Sequence, residues 1–207
     1  ELDDTSLEGV VAHIVNLIKE IGEGEPVQAV GIGSAGSMTL FDDHARDNPY
    51  FEWGTAPLSQ LVERECGLPV VISRDVTAFT VGIHSWGPGR GQNDLAVVTI
   101  GTGIGIGLVL GGQVVTGPRG AAGMIGHTRI DDSGPYCSLG HRGCAMAYLT
   151  SPAITRAVAM GRGDTSVALS QVGELYDAGD AVAVAAVSDA GRALGAMIAG
   201  IVSLLDI

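Results

Sequence analysis

An α/β fold is predicted by two features of this chain of 207 residues. Apolar runs of strand length, such as Leu68 to Ile72 and Leu95 to Ile100, end at polar or glycine-rich turns, whereas other segments repeat apolar residues at helical spacing. The 32 glycines are too many for a helical bundle and suit sheets with tight turns. Hydrophobic residues make up 46% of the chain and charged residues 16%, so a substantial core can form.

The charge and the cysteine content limit the partners and the compartment. The formal net charge is −12, which argues against direct contact of this chain with nucleic acid or an anionic membrane. Three cysteines do not form a disulfide framework and no signal peptide is visible, which favours a reducing cytoplasm. The apolar stretch from Ala193 to Leu205 is interrupted by two glycines and is shorter than the ~20 residues of a membrane span, so a buried helix is predicted there.

The first part of the chain predicts a helix, a strand, a second helix and a second strand. Ser6 can cap the first helix, and glycines follow its last residue. Each strand leads into a short turn, Gly33 to Ser37 after the first and Ser73 to Ala78 after the second. The predicted bounds are Ser6 to Ile21, Val27 to Ile32, Pro57 to Cys66 and Leu68 to Ile72.

Asp75 is the most chemically informative residue of this part because it closely follows a predicted buried strand. In an α/β sheet, residues at the carboxyl ends of the strands bind ligands. An aspartate at this position can also cap a helix, which is predicted over residues 76–83. Both roles are compatible with the sequence, which leaves them open.

The second part of the chain begins with a glycine-rich region. The predicted strand Leu95 to Ile100 is followed at once by Gly101-Thr102-Gly103-Ile104-Gly105-Ile106-Gly107, whose alternate glycines allow the backbone to approach a ligand closely. Such a pattern on its own is more often a turn than a phosphate loop. Gly111-Gly112 predicts a two-residue hairpin turn. Helices are predicted from Ser151 to about Met160 and from Ala181 to Leu205.

The order and spacing of residues in this region resembles the ROK family (repressors, open reading frames and sugar kinases). The resemblance covers the chain from about Val27 to its end, and it implies the actin-like, ribonuclease-H-like fold of sugar kinases, truncated at both ends. Residues 1–207 are then expected to be a central region, in which 1–94 belong to the first lobe and 95–207 carry the glycine-rich hairpin, the Gly-His/Cys loop and the C-terminal helices. The matching residues are Ile100, Gly103, Gly105, Gly107-Leu108, Gly117, Gly123 and Gly126-His127.

The resemblance also implies roles for individual residues. Asp75 matches the aspartate that takes the proton from the sugar hydroxyl attacking ATP. The usual Asn-Asp-x-Asn pattern is replaced here by Arg74-Asp75-Val76-Thr77, which places a positive charge next to the expected base. The residues expected to contact the sugar are Asn48, Asp75, Met124, His127 and Met146, and those expected near the ATP phosphates are Gly101, Thr102, Gly103 and Gly105.

Met124 and Met146 are the sharpest departures from the family. They stand where the family kinases have two glutamates that bind sugar hydroxyls. A carboxylate accepts hydrogen bonds from hydroxyls, whereas a thioether barely does. We therefore expect a standard hexose to bind weakly, or the natural ligand to differ from one.

The resemblance further implies a structural zinc site. In the family, zinc is held by the histidine of Gly-His and by three cysteines of a C-x-C-G-x-x-G-C segment. His127, Cys137 and Cys144 match, but Leu139 replaces the middle cysteine. Tetrahedral zinc needs four ligands, and His141 could supply the fourth. The alternative is a metal-free loop with two buried thiols.

Three functions stay open at this point. The preferred hypothesis is a sugar- or small-ligand-sensing effector and oligomerisation domain of a ROK transcriptional regulator, without efficient catalysis, because sugar-responsive repressors of the family commonly carry the Gly-His-Thr of residues 126–128. DNA would then be bound by a domain outside this chain. The alternatives are an ATP-dependent, glucokinase-like sugar kinase, which would need ATP and magnesium, and a scaffold that only dimerises. By analogy with the family, a homodimer or tetramer is expected.

Overall fold

The computed structural model of the chain describes residues 4–38, 45–46 and 53–207. Asn48, one of the expected sugar contacts, lies outside the described residues. The chain forms two compact units. Unit 1 comprises Glu1–Val97 and Gly107–Ala122, and unit 2 comprises Val98–Ile106 and Gly123–Ile207.

The chain contains both helices and strands, as the predicted α/β class requires, and its last part is helical. The strands are β1 (Val30–Ser34), β2 (Ser37–Met38), β3 (Ala45–Arg46), β4 (Val70–Arg74), β5 (Leu95–Ile100), β6 (Ile104–Leu110) and β7 (Gln113–Val115). The helices are α1 (Leu7–Ile21), α2 (Leu58–Cys66), α3 (Asp75–Trp86), α4 (Met146–Leu149), α5 (Ser151–Arg162), α6 (Leu169–Asp177) and α7 (Ala181–Leu205), with a 3₁₀ turn at Ile125–His127.

The core of unit 1 forms between α1, α2 and the strands β1 and β4. Ser6 caps α1 as predicted, because its hydroxyl oxygen accepts a hydrogen bond from the backbone N–H of Gly9. The apolar face of α1 packs against α2 and β4. The buried members of this cluster are Val11, Val15, Leu58, Val62, Val70 and Ile72.

β1 and β4 are parallel neighbours, paired from Val30 with Val70 to Ser34 with Arg74. Their carboxyl ends therefore coincide, and both strands extend two residues past the predicted ends at Ile32 and Ile72. The next residue after β4 already begins α3. A polar edge results at the ends of the two strands, which is where α/β sheets bind ligands.

β5, β6 and β7 form a three-stranded sheet in that order. β6 and β7 are antiparallel and join at Gly111-Gly112, whose φ values are +57° and +75°. Two consecutive residues with positive φ are typical of a type I′ hairpin turn, so this prediction is confirmed. β6 begins at Ile104, so the irregular part of the glycine-rich run is confined to Gly101–Gly103.

The long helix α7 packs against α4, α5 and α6 in unit 2. Its predicted bounds, Ala181 to Leu205, are confirmed. With 25 residues it has the length and apolar composition of a membrane span, a property that helices packed in a protein interior can share. Its buried face consists of Ala183, Ala190, Ala193, Met197 and Ile201.

Candidate functional site

Asp75 is the first residue of α3 and its side chain is exposed. Its carboxylate oxygen Oδ1 accepts a hydrogen bond of 2.7 Å from the backbone N–H of Val76. The helix thus begins one residue earlier than expected, and Arg74 takes the N-cap position without a side-chain cap. A carboxylate in the first turn is stabilised by the helix dipole, and an exposed one remains free to accept a hydroxyl hydrogen bond.

Glycine at position 33 lets β1 approach Asp75. A Cβ at Gly33 would lie 3.4 Å from the Asp75 Cα, in close contact with the backbone. Ser34, the next residue of β1, pairs in register with Arg74. The ends of the two strands therefore bring Ser34, Arg74 and Asp75 to one edge of the sheet in unit 1.

Arg74 is a buried charged residue, with 7% of its surface exposed. Its Nη1 donates a hydrogen bond of 2.6 Å to the carbonyl oxygen of Ala122. Ala122 closes a loop in which its own N–H donates to the carbonyl of Thr116. Burial lowers the pKa of the Arg74 guanidinium, while the negative charge of Asp75 raises it. The hydrogen bond to Ala122 thus holds the 116–122 loop in place. It joins two residues that are 48 positions apart in the chain.

The glycine-rich turn lies in unit 2, at the end of β5. The N–H of Gly101 donates to the carbonyl of Gly103, and the carbonyl of Gly101 accepts from the N–H of Ser151 at the start of α5. Gly101, Thr102 and Gly103 are exposed, whereas Gly105 is part of β6 and half-buried. Of the four residues expected near phosphates, three therefore form an exposed turn and the fourth lies in the strand.

The two methionines occupy different environments in unit 2. Met146 begins α4 and packs with Cys137, Cys144 and Ala147. Its sulfur would lie 3.2 Å from a Cβ at Gly126, so it fills the space beneath the Gly-His turn. Met124 directly precedes this turn and is 49% exposed. Neither side chain offers a strong acceptor for a hydroxyl group.

A cluster of histidine and cysteine side chains forms next to Met146. The ligand atoms of His127, Cys137 and His141 all lie within 4.8 Å of one another. His127 Nδ1 is 3.7 Å from Cys137 Sγ, and the two imidazole rings meet edge to face at 5.5 Å between centroids. Cys144 is completely buried in the same apolar cluster as Cys137. The structure therefore brings three of the four expected metal ligands within reach of one another, and Cys144 packs beside Cys137 without joining that group.

The backbone between the two cysteines makes this arrangement possible. The N–H of Cys137 donates to the carbonyl of His141, and the N–H of Gly140 donates to the carbonyl of Cys137. Gly140 has a φ of +76°, which favours glycine. Leu139, at the position of the missing cysteine, is 64% exposed. The tight turn thus presents His141 rather than residue 139 to the cluster.

The pKa shifts of His127 and Cys137 favour metal binding, whereas burial and the hydrogen bond to Cys137 raise the pKa of Cys144. Burial and the nearby His141 lower the pKa of His127, which favours the neutral imidazole. Burial acts to raise the pKa of the Cys137 thiol, but hydrogen bonds from the Cys144 thiol and from backbone amides outweigh it and lower the pKa overall. Two thiols and two imidazoles form a donor set that zinc accepts in tetrahedral sites. The cluster therefore offers donors of the kind that zinc binds, three of them within reach of one another.

One polar pair near this cluster was not predicted from the sequence. The Tyr148 hydroxyl donates a hydrogen bond of 2.5 Å to Asp131 Oδ2. Asp131 also accepts hydrogen bonds from the backbone N–H and the hydroxyl of Ser133. The two partners are 17 positions apart, and nothing in the local pattern marks them. The pair ties the segment before the cysteines to α4.

Comparisons with known proteins place this chain in a family. The model of the ROK family matches residues 3–207. A glucokinase of Thermotoga maritima is 36% identical over 156 residues, which are 75% of this chain and 49% of that protein. A xylose repressor of Bacillus subtilis is 31% identical over 110 residues, which are 53% of this chain and 29% of the repressor. The chain thus spans half or less of the length of these curated relatives.

The fold is also similar to that of a solved ROK-family structure. The ROK glucokinase of Streptomyces griseus, in complex with glucose and AMPPNP, superposes with a TM-score of 0.82 at 30% identity. The match covers 98% of this chain and 70% of that glucokinase. The expected actin-like, ribonuclease-H-like α/β fold of the sugar kinases is therefore confirmed. Because the family model covers nearly the whole chain and the fold agrees, the protein belongs to the ROK family.

Proposed function

We propose that this chain is the sugar- or small-ligand-sensing effector and oligomerisation domain of a ROK transcriptional regulator, without efficient catalysis. The observation that carries the proposal is the environment of Met146, whose side chain packs with Cys137 and Ala147 beneath Gly126. At this position the family resemblance leads one to expect a carboxylate that binds a sugar hydroxyl. A sensor needs only to bind its ligand differently in two states, and it tolerates the loss of groups that a catalyst needs.

The ligand contacts proposed from the family resemblance are Asn48, Asp75, Met124, His127 and Met146. Asp75 is exposed at the start of α3, so it can accept a hydrogen bond from a ligand hydroxyl. The similarity to a xylose repressor supports a regulator. In this proposal the protein is a cytoplasmic dimer or tetramer, and it contacts DNA through a domain outside this chain.

An ATP-dependent sugar kinase is the second candidate, favoured by the exposed carboxylate of Asp75 and by the similarity to glucokinases. In that case Asp75 would take the proton of the attacking hydroxyl, and the exposed turn Gly101–Gly103, with Gly105, would lie near the phosphates of magnesium ATP. The two missing glutamates weaken this candidate, because unsatisfied partners in a polar site cost roughly 1–3 kcal/mol each.

A structural zinc ion is part of the proposal. His127, Cys137, His141 and Cys144 would hold it, and the ion would cross-link the Gly-His turn to the cysteine loop. His127 would then be fixed in orientation on one nitrogen, while its other ring nitrogen remains available for a hydrogen bond.

The experiment for the proposed function is a calorimetric titration of the chain with a panel of neutral and charged sugars. We expect saturable binding of at least one sugar. The Asp75→Asn variant should bind it about tenfold or more weakly, because a hydrogen bond to a charged acceptor is lost. A chain that is folded by circular dichroism but binds no sugar would favour the scaffold that only dimerises.

A further inference from the structure

We propose that Arg74 binds an anionic group of the ligand, a carboxylate or a phosphate, at the carboxyl ends of β1 and β4. This inference rests on the proposed function, since it specifies the class of sugar that the same site takes. It starts from the buried guanidinium of Arg74, which has fewer hydrogen-bond partners than it has donors.

Arg74 is the one charged side chain that is buried among the described residues. Within that part of the chain, the Ala122 carbonyl is the single hydrogen-bond acceptor that its guanidinium reaches, and no carboxylate lies within ion-pair distance, although the charge of Asp75 acts on it from further away. Most of the N–H donors of the guanidinium are therefore left without a described partner. A buried charge is costly unless it is paired, so a binding partner is expected at this position.

The location of Arg74 makes a ligand the natural partner. It ends β4, lies in register with Ser34 of β1 and directly precedes Asp75 at the start of α3. This edge of the sheet is where α/β proteins bind their ligands. Its one hydrogen bond fixes Nη1 on the Ala122 carbonyl, which holds the guanidinium in place before a ligand arrives. Such preorganisation favours affinity because less side-chain freedom is lost on binding.

The chemistry of the guanidinium selects the class of ligand. Its planar arrangement of donors matches carboxylate and phosphate oxygens, and charge-assisted hydrogen bonds of this type are about twice as strong as neutral ones. The exposed carboxylate of Asp75 would take a hydroxyl of the same ligand.

The test compares anions on the wild-type chain and on variants of position 74. Inorganic phosphate, acetate, D-glucose, D-glucose 6-phosphate and D-glucuronate are titrated at equal ionic strength, with thermal unfolding and calorimetry as readouts. We expect one of the two charged sugars to bind at least about tenfold more tightly than D-glucose. Which of them binds distinguishes a sugar phosphate from a sugar acid, and phosphate or acetate should show the same preference.

Arg74→Met removes the charge at nearly constant length and should abolish this preference. Arg74→Lys keeps the charge but loses the planar fork, so it should retain only part of the preference. The matched control is Arg64→Met, which removes an exposed arginine of α2 and should leave the preference unchanged. Thermal unfolding without ligand checks that each variant is folded.

The inference is contradicted if neither charged sugar nor either small anion binds better than D-glucose, or if Arg74→Met keeps the full preference. If D-glucose binds wild type and Arg74→Met alike and no anion does, the inference fails while the proposed ligand-sensing function stands. If anions bind through Arg74 and the protein also turns over ATP, the anion site stands and the proposed regulator fails.

Discussion

Gly123 is a residue at which the fold leaves no space for a side chain. Its φ is +83°, and a Cβ there would lie 1.9 Å from the carbonyl oxygen of Ile106. Because the obstacle is backbone, it cannot rotate away as a side chain could. The segment that leads to Met124 and His127 is therefore held against β6 only as long as residue 123 is glycine.

The Gly123→Ala substitution should lower the free energy of unfolding by roughly 2–4 kcal/mol, because it combines a strained φ with a backbone collision. Urea unfolding followed by circular dichroism measures the change. Gly173→Ala in α6 is the control, since a Cβ there meets nothing within 4 Å. It should raise stability by roughly 0.5–1 kcal/mol through helix propensity. Equal stability of the wild type and Gly123→Ala would contradict the packing described for this loop.

Tyr148 makes stability depend on pH in the alkaline range. Burial, followed by its hydrogen bond to Asp131, raises its pKa to about 12 from an ordinary value of 10.0. The neutral phenol stabilises the fold, so this contribution is fully present below pH 10 and is lost as pH rises toward about 12. Wild type should lose stability more steeply over this range than Tyr148→Phe.

Urea midpoints at several pH values between about 9 and about 11.5 test this dependence. Tyr176→Phe is the control, since Tyr176 is 45% exposed on α6. The stability of the Tyr176→Phe variant should fall with rising pH as steeply as that of the wild type. Identical slopes for wild type and Tyr148→Phe would show that the phenol contributes nothing.

At the scale of elements, the strands show how far local patterns predict structure. Apolar runs predicted β1 and β4, but both strands continue for two residues because Gly33 pairs with Ser73 and Ser34 with Arg74. Such pairing joins residues about 40 positions apart, so no local pattern marks it. The burial of Arg74 was unpredictable for the same reason, since its acceptor lies 48 positions further along the chain.

In the hairpin of β6 and β7 and in the cysteine loop, the sequence predicted part of the structure correctly. Gly111-Gly112 predicted its turn correctly, because two residues of positive φ demand that kind of sequence. The start of β6 at Ile104 could not be predicted from the sequence, because the alternate glycines carry no side chains that would show the apolar–polar alternation of a strand. The proximity of His127, Cys137 and His141 was predicted from family spacing, and whether they bind zinc stays a prediction.

Zinc binding can be measured directly on the cysteine loop. We expect one zinc ion per chain, and we expect chelation to lower the temperature of unfolding, because the ion cross-links the two turns. His141→Ala should weaken zinc binding strongly. Leu139→Cys combined with His141→Ala should restore it, because it recreates the family pattern.

His13→Ala is the matched control for zinc, since His13 is exposed on α1 in the other unit. It should change neither the zinc content nor the effect of chelation. If the wild-type chain is purified with zinc in the medium and contains no zinc, the metal site is contradicted. The two thiols would then only contribute to the packing of the core.

At the scale of the whole molecule, one family fold serves two kinds of protein. Glucokinases and a xylose repressor are both similar to this chain, so the fold alone does not determine catalysis. The difference must come from individual groups, of which Asp75, Arg74, Met124 and Met146 are the most informative. The division into a first part over 1–94 and a second over 95–207 stays a prediction.

In the proposed function, the protein binds its ligand without efficient turnover. The most direct measurement is ADP release by the protein as its gene encodes it, with magnesium ATP and the sugar that binds most tightly. We predict that ADP release in the presence of this sugar does not exceed that of the Asp75→Asn variant. Sugar-dependent ADP release that Asp75→Asn abolishes would contradict the claim and identify Asp75 as the base of a sugar kinase.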